Sequence, residues 1–174
     1  MLKLHLLANI FIPQSDKLRE EWVATQLQSL KKNASILDAG AGECYYKRYC
    51  KHLEYTSQDF NGYDGKGNKK GIQTGKRNTS KIDIVSDIAS MPLSSEKFDC
   101  VLCVEVFEHL PRPLDALKEI SRVTKKGGTL ILTAPFASLT HYSPFFFYSG
   151  FSINFYKENL PLYNFKIEKT YTYG

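Results

Sequence analysis

The sequence predicts an α/β fold, a mostly parallel β-sheet covered by helices on both faces. Three observations lead there. Short apolar runs alternate with segments of helical periodicity along most of the chain, the pattern of repeated strand–helix crossovers. Residues 98–106 are almost continuously apolar, as a parallel strand buried on both faces must be. The apolar run 35–39 enters Gly40-Ala41-Gly42 directly, a turn that lets backbone pass close to a ligand at the carboxyl end of a strand.

The elements follow in order. Residues 16–32 read as an amphipathic helix with a stripe of Leu18, Trp22, Val23, Leu27 and Leu30. Ser15 can cap it, Asp16, Glu20 and Glu21 suit its positive end, and Lys31, Lys32 and Asn33 suit its carboxyl end. Strand 35–39 leads through the glycine turn into an expected helix over 43–53. Strand 54–60 is rich in Tyr and Thr. Residues 61–82 hold five glycines and few apolar side chains, and read as a long solvated loop. A strand restarts at 82–85 and ends near Asp87, and the fourth strand is 98–106. Residues 113–125 form a helix with Ala116, Leu117, Ile120 and Val123 on one side, stopped by Gly127-Gly128. A fifth strand covers 129–134, a helix 151–160, and a last strand 165–173. One domain, 1–174, is expected. It has an N-terminal helical region (1–33), a core (35–136) and an aromatic-rich region (137–174), the last holding most of the chain's Phe and Tyr.

Composition narrows the function. A length of 174 residues suits one domain with a sizeable core. The net charge of +5 is local, because segment 61–82 carries Lys66, Lys69, Lys70, Lys76, Arg77 and Lys81 against Asp64 alone. A general nucleic-acid-binding surface is therefore not indicated. Cys100 and Cys103 form C-x-x-C within a strand, where residues three apart point to opposite faces. They are read as buried thiols, and no metal-ligating residues are expected. Four cysteines without a disulfide framework point to the cytoplasm. The run from Leu4 to Ile12 is broken by His5 and Asn9, so neither a secretory leader nor a membrane span is expected.

Four stretches carry chemistry. The first is Asp38-Ala39-Gly40-Ala41-Gly42. Dinucleotide-binding folds use the same device, but Tyr45 stands where their third glycine belongs. The second is Asp59, 21 positions after Asp38. At a strand end it is either a turn residue or a carboxylate that accepts from ribose hydroxyls. The third is Asp87-Ile88, read as a turn cap or as an adenine contact. The fourth is the emergence of the buried strand into Val104-Glu105-Val106-Phe107-Glu108-His109.

In order and spacing, L-D-A-G-A-G, S-Q-D-F, S-D-I-A-S-M-P, F-D-C-V-L-C-V-E-V-F-E-H-L and K-K-G-G-T-L-I-L-T-A-P-F resemble the class I S-adenosylmethionine-dependent methyltransferases, type 11-like, over 35–136. The resemblance implies a three-layer Rossmann-like fold, S-adenosylmethionine as cofactor and S-adenosylhomocysteine as product. It places Ala39, Gly40 and Gly42 under the methionine moiety, with Asp38 orienting that turn. It gives Asp59 the ribose and puts Phe60, Asp87 and Ile88 beside the adenine. Val104 and Glu105 approach from the fourth strand. His109 and His141 are the candidate bases or substrate contacts, since imidazole titrates near neutrality. The aromatic region is read as packing for the last helix and strand, or as an apolar lid over the acceptor.

The chain departs from the family pattern twice. Loop 61–82 stands where a helix is usual, and the seventh strand has no candidate. The C-terminal strand is thus expected to be missing, through truncation or because a partner chain covers the edge, a second copy included. A small-molecule acceptor, anionic if the basic loop steers it, is the leading expectation. RNA or protein methylation is disfavoured because Glu105 to His109 replace the N-P-P-Y-type segment of amino-methylating relatives. A non-catalytic binding module is the remaining alternative.

Overall fold

The computed structural model describes residues 16–172. Five strands form one sheet in the order β3-β2-β1-β4-β5, every pair parallel. They are β1 (Ser35–Ala39), β2 (Glu54–Asp59), β3 (Ile84–Val85), β4 (Phe98–Val104) and β5 (Thr124–Thr133). Three helices accompany them: α1 over 16–28, α2 (Pro113–Val123) and α3 (Ile153–Asn159).

Strand alternation divides the core in two. Leu37 and Ala39 of β1 and Val101 and Cys103 of β4 face one side. There they pack on Ala116, Leu117, Ile120 and Val123 of α2, the stripe expected from the sequence, and on Phe151, Phe155 and Tyr156 around α3. Ile36, Cys100, Leu102 and Ile131 face the other side and meet Val23 and Leu27 of α1. Each fully buried Leu, Ile or Val contributes about 1.5–3 kcal/mol. The result is helix, sheet and helix in three layers, as expected. Cys100 and Cys103 fall in different halves of the core, and both are free thiols.

The chain runs outward from β1 through β2 to β3, then returns to lay β4 on the other side of β1. Such a reversal opens a crevice beyond the carboxyl ends of the central strands.

Four local expectations need correction. The helix expected over 43–53 is a short 3-10 turn, Tyr45–Tyr49. Cys44 before it is left-handed (φ 58°), and three of its five residues are tyrosines, poor helix formers whose rings at 46 and 49 pack against the α1 side of the core. Helix α1 stops at residue 28, ahead of a left-handed Asn33. The strand expected over 165–173 is not formed among the described residues. Residues 165–168 do alternate in burial, but only Phe165 turns into the core. Period-two alternation predicts extended backbone, and a strand also needs a partner ladder. Loop 61–82 is tied down rather than free. Gly75 N–H donates to Gly65 O (2.9 Å), Tyr63 O–H donates to Gln73 (2.7 Å), and Ile72 bridges to His141. The readings of Leu4 to Ile12, of the Ser15 cap and of Tyr173 lie outside the described residues.

Candidate active site

Asp38, Ala39, Gly40, Gly42 and Asp59 converge at the carboxyl ends of β1 and β2. The turn is held against β2 by Gln58, whose carbonyl oxygen accepts from Gly40 N–H (2.8 Å) and Ala41 N–H (2.9 Å). Gly40 is left-handed (φ +78°), and a Cβ there would lie 2.4 Å from a Val106 methyl group. Only glycine fits on both counts. Gly42 N–H donates to Asp59 Oδ2 (2.9 Å) and Asn61 N–H to Oδ1 (2.8 Å), so the buried Asp59 carboxylate ties the first turn to the second. Asp38 is buried too, and Tyr55 O–H donates to it (2.6 Å). Burial pushes its carboxyl up to about 7, and nearby Asp59 adds to this while the Tyr55 hydrogen bond opposes it. Ala39 has its methyl in the core, leaving backbone alone for a ligand.

The adenine-side candidates are spread more widely. Phe60 is 44% exposed and meets Phe145 edge-on (5.0 Å between centroids). Asp87 is exposed at the end of β3, its Oδ1 accepting from Ala89 N–H (2.8 Å), which is the turn-cap geometry. Ile88 is buried against the α2 side of the core. Val104 ends β4, and Glu105 follows it in the left-handed region (φ 53°). Glu105 accepts from Thr133 O–H (2.8 Å) and pairs with Arg19 of α1 (3.4 Å). A non-glycine residue so placed stores strain of about 1–2 kcal/mol.

The two candidate histidines, 32 positions apart in sequence, meet in space with ring centroids 4.7 Å apart. His109 ends the 3-10 turn Phe107–His109 after β4. His141 arrives on the segment after β5. That segment folds back over Glu108, whose carbonyl oxygen accepts from Phe147 N–H (2.8 Å). It is also laced to loop 61–82. Ile72 N–H donates to Thr140 O (3.0 Å) and Tyr142 N–H to Ile72 O (2.9 Å). The basic loop and the aromatic segment thus form one cap over the crevice.

Each histidine has a defined tautomer. His109 Nδ1 donates to Phe145 O (2.6 Å) and His141 Nδ1 donates to Leu139 O (2.8 Å). Carbonyl oxygens only accept, so in the neutral ring it is Nε2 that carries the lone pair. Burial lowers the His109 imidazole to about 4, with the Phe145 contact opposing and His141 and Arg77 reinforcing. Beside them Glu108 is 1% exposed, and neither of its carboxylate oxygens has a hydrogen-bond partner. Burial first, then Glu105, pushes its carboxyl up to about 8.

Several contributors were not singled out from the sequence. Glu108 stood within the quoted E-x-x-E-H stretch, yet its burial is visible only in three dimensions. Tyr55 lies one β1–β2 rung from Leu37–Thr56 and reaches Asp38 across the strands. Arg77 was legible only as one charge of the basic loop. Its guanidinium lies 2.4 Å from where a Cβ on Gly42 would stand. The same group sits over the rings of Tyr63 and Tyr142, and Tyr142 stacks on His109 (5.0 Å, 14°). One side chain thereby spans the glycine cradle and the histidine pair.

Residues 37–132 match the family model described as a methyltransferase domain. The chain is similar to a tRNA U34 carboxymethyltransferase from Nautilia profundicola, 29% identical over 104 residues, covering 58% of this chain and 34% of that protein. It is also similar to a ubiquinone biosynthesis O-methyltransferase from Xanthomonas campestris pv. campestris, 38% identical over 53 residues, covering 30% and 21%. The matched segments therefore span about a third or less of these relatives' lengths. A TehB-like SAM-dependent methyltransferase from Corynebacterium glutamicum shares the fold, with a TM-score of 0.53 at 16% identity over 83% of this chain and 71% of that one.

Proposed function

The chain belongs to the methyltransferase-domain family, and from that premise we propose that it moves the methyl group of S-adenosylmethionine to an oxygen of a small, anionic acceptor. The observation that carries this reading is the joining of the cradle (Asp38, Gly40, Gly42, Asp59) to the histidine pair through Arg77 under one cap.

The backbone of Ala39, Gly40 and Gly42 would carry the methionine moiety once the Arg77 guanidinium over Gly42 makes way, with Asp38 facing its ammonium group. The second lone pairs on the two Asp59 oxygens suit the ribose hydroxyls. Phe60 and Asp87 border the adenine side, with Ile88 packed beneath them, and Val104 and Glu105 close the β4 side. The sulfonium of the cofactor supplies an activated methyl carbon. What remains for the protein is to align the acceptor oxygen, exclude water and take up the acceptor's proton. Nε2 of His109 and of His141 are the groups able to accept it, and the interlocked cap excludes water.

An oxygen acceptor agrees with the O-methyltransferase named among the relatives. Arg77 and the lysines of its loop favour an anion. RNA is the second reading, favoured by that same loop and by the tRNA-modifying relative. The confinement of the net positive charge to one loop favours the small anion. No helix among the described residues is long and apolar enough to cross a membrane. The free cysteines agree with a reducing compartment such as the cytoplasm. Calorimetric titration with S-adenosylmethionine, S-adenosylhomocysteine and NAD tests the cofactor. Micromolar binding of the first two without NAD is expected, and binding of NAD alone, or of none, overturns the reading.

A further inference from the structure

We propose that Glu108, His109 and His141 form a binding site for one divalent first-row transition-metal ion. One ligand atom from each residue lies within 4.8 Å of the others. Glu108 Oε1 stands 3.8 Å from His109 Nε2 and 3.9 Å from His141 Nε2. Ligand atoms about 2.1 Å from a shared ion in tetrahedral array sit about 3.4 Å apart. The two carboxylate–imidazole distances are therefore a few tenths of an ångström from closing on an ion, and the imidazole nitrogens, within 4.8 Å of each other, close by side-chain rotation.

Three independent features show that the site is prepared. Both histidines spend Nδ1–H on backbone carbonyl oxygens, Phe145 and Leu139 respectively. That fixes the ring orientation and leaves Nε2 as the free ligand, the arrangement typical of metal-bound imidazole. The Glu108 carboxylate is 1% exposed with both oxygens unpartnered, and His109 Nε2 is likewise buried without a partner. Unpaired buried polar groups are costly, and a cation satisfies all three at once. Finally, the third ligand comes from the cap, which the Ile72–His141 bridge and the Phe147–Glu108 hydrogen bond hold in place. Two imidazoles and one carboxylate select Zn, Mn, Fe, Co or Ni over the all-oxygen ions Mg and Ca. Glu105 is already engaged by Thr133 and Arg19 and stands outside the set.

Three protein ligands leave a coordination position open, as in catalytic sites. Its use rests on the methyl-transfer reading. An acceptor hydroxyl bound there loses its proton to solvent at neutral pH. The oxygen lone pair then forms the bond to the methyl carbon, and the carbon–sulfur bond breaks with its electron pair left on sulfur. The anionic part of the acceptor falls to Arg77, which reaches the pair through Tyr142. The histidines then act as ligands, and the ion replaces them as the means of activating the hydroxyl.

The test titrates chelator-treated full-length protein with Co2+ and with Zn2+, by visible absorption for cobalt and by calorimetry for zinc. One equivalent is expected, with a thermal shift on addition. His141→Ala, on the partly exposed cap, should weaken binding at least about tenfold, as should Glu108→Gln. His52→Ala, outside the trio, should leave it unchanged. Absence of binding, or binding equal in wild type, H141A and E108Q, overturns the site. Far-ultraviolet circular dichroism separates misfolding from ligand loss, and H141A carries the test if E108Q does not fold. S-adenosylmethionine is titrated separately. Metal binding without cofactor binding sustains the site and defeats the methyl-transfer reading, whereas cofactor binding without metal binding does the reverse.

Discussion

The two ends of the parallel sheet are built on opposite terms. At the amino end the Asp99 carboxylate is fully engaged. Asp99 accepts from Ser35 N–H (2.9 Å) and Ser35 O–H (2.7 Å) and pairs with Lys125 (2.8 Å), joining β1, β4 and β5. These partners hold its carboxyl down at about 2, led by the Lys125 hydrogen bond. Asp83, just ahead of β3, is engaged in the same manner by Ser57 of β2, with bonds of 2.8 and 2.7 Å. At the carboxyl end Asp38 and Glu108 are buried and pushed upward, Gly40 and Glu105 hold left-handed backbone, and Glu108 has no partner. One end of the sheet spends its carboxylates on joining strands, and the other leaves Glu108 without a partner beside the histidine pair. This is the division expected when stability and function share one fold.

The largest break in that contrast comes at Gly40. Gly40→Ala adds left-handed strain of about 1–2 kcal/mol and an overlap with the Val106 methyl groups worth about 1–3 kcal/mol. Chemical denaturation should show a loss of about 2–5 kcal/mol, and calorimetry should show loss of S-adenosylmethionine binding. A stable variant that still binds the cofactor would mean that the turn is not its seat. Asp59→Ala comes next. It should weaken cofactor binding by about 1–3 kcal/mol, the cost of unmade charged hydrogen bonds. Asp59→Asn keeps the side chain's size and one acceptor oxygen, and should lose less.

Glu108→Met sharpens the comparison from the other direction. Removing a buried carboxyl group without partners should raise the stability of the metal-free protein by about 1–2 kcal/mol in urea unfolding, while abolishing turnover. A destabilised variant would show that Glu108 serves the fold rather than the site.

How much of this was legible in the sequence follows from the range of the forces involved. β1, β4 and α2 announce themselves through local periodicity, and the D-x-G-x-G turn through backbone demands that only glycine meets. Asp59 is legible because its place at a strand end is local information. The 3-10 turn Tyr45–Tyr49 was not, because a left-handed Cys44 and aromatic packing on α1 override a plausible helical stretch. Residues past Phe165 alternate as a strand does, but alternation cannot report whether a neighbouring ladder exists. The cap is the plainest case. Loop 61–82 reads as solvated because its stabilising partners, residues 140–143, lie some seventy positions away in sequence.

The pH response at Asp38 separates the two ends without a mutation. Its side chain faces Tyr55 and Asp59 on β2, Cys50 beyond the 3-10 turn and Cys103 on β4. A carboxyl raised to about 7 in the folded state favours the protonated fold. Its contribution to stability is present in full below the unfolded value of about 3.9 and is lost as pH rises through about 7. The cationic cofactor favours the ionised form. Affinity should therefore rise by up to about tenfold per pH unit below 7 and level off above it, with proton release visible as a buffer-dependent heat of binding. A flat affinity from pH 6 to 8 would detach Asp38 from the cofactor.

The smallest expected effect is at Ser35, and it tests the other half of the contrast. Ser35→Ala removes the hydroxyl that donates to Asp99 (2.7 Å) and accepts from Asp99 N–H (3.1 Å), while the Ser35 N–H bond and the Lys125 pair remain. Because Asp99 is half-exposed and keeps two partners, the loss should be about 0.5–1.5 kcal/mol of stability. Cofactor affinity should not change, since the substitution lies at the far end of β1 from Gly40. A matching drop in affinity would show that the two ends of the sheet are coupled through β1, and that the carboxyl end depends on the amino end for its geometry as well as for its foundation.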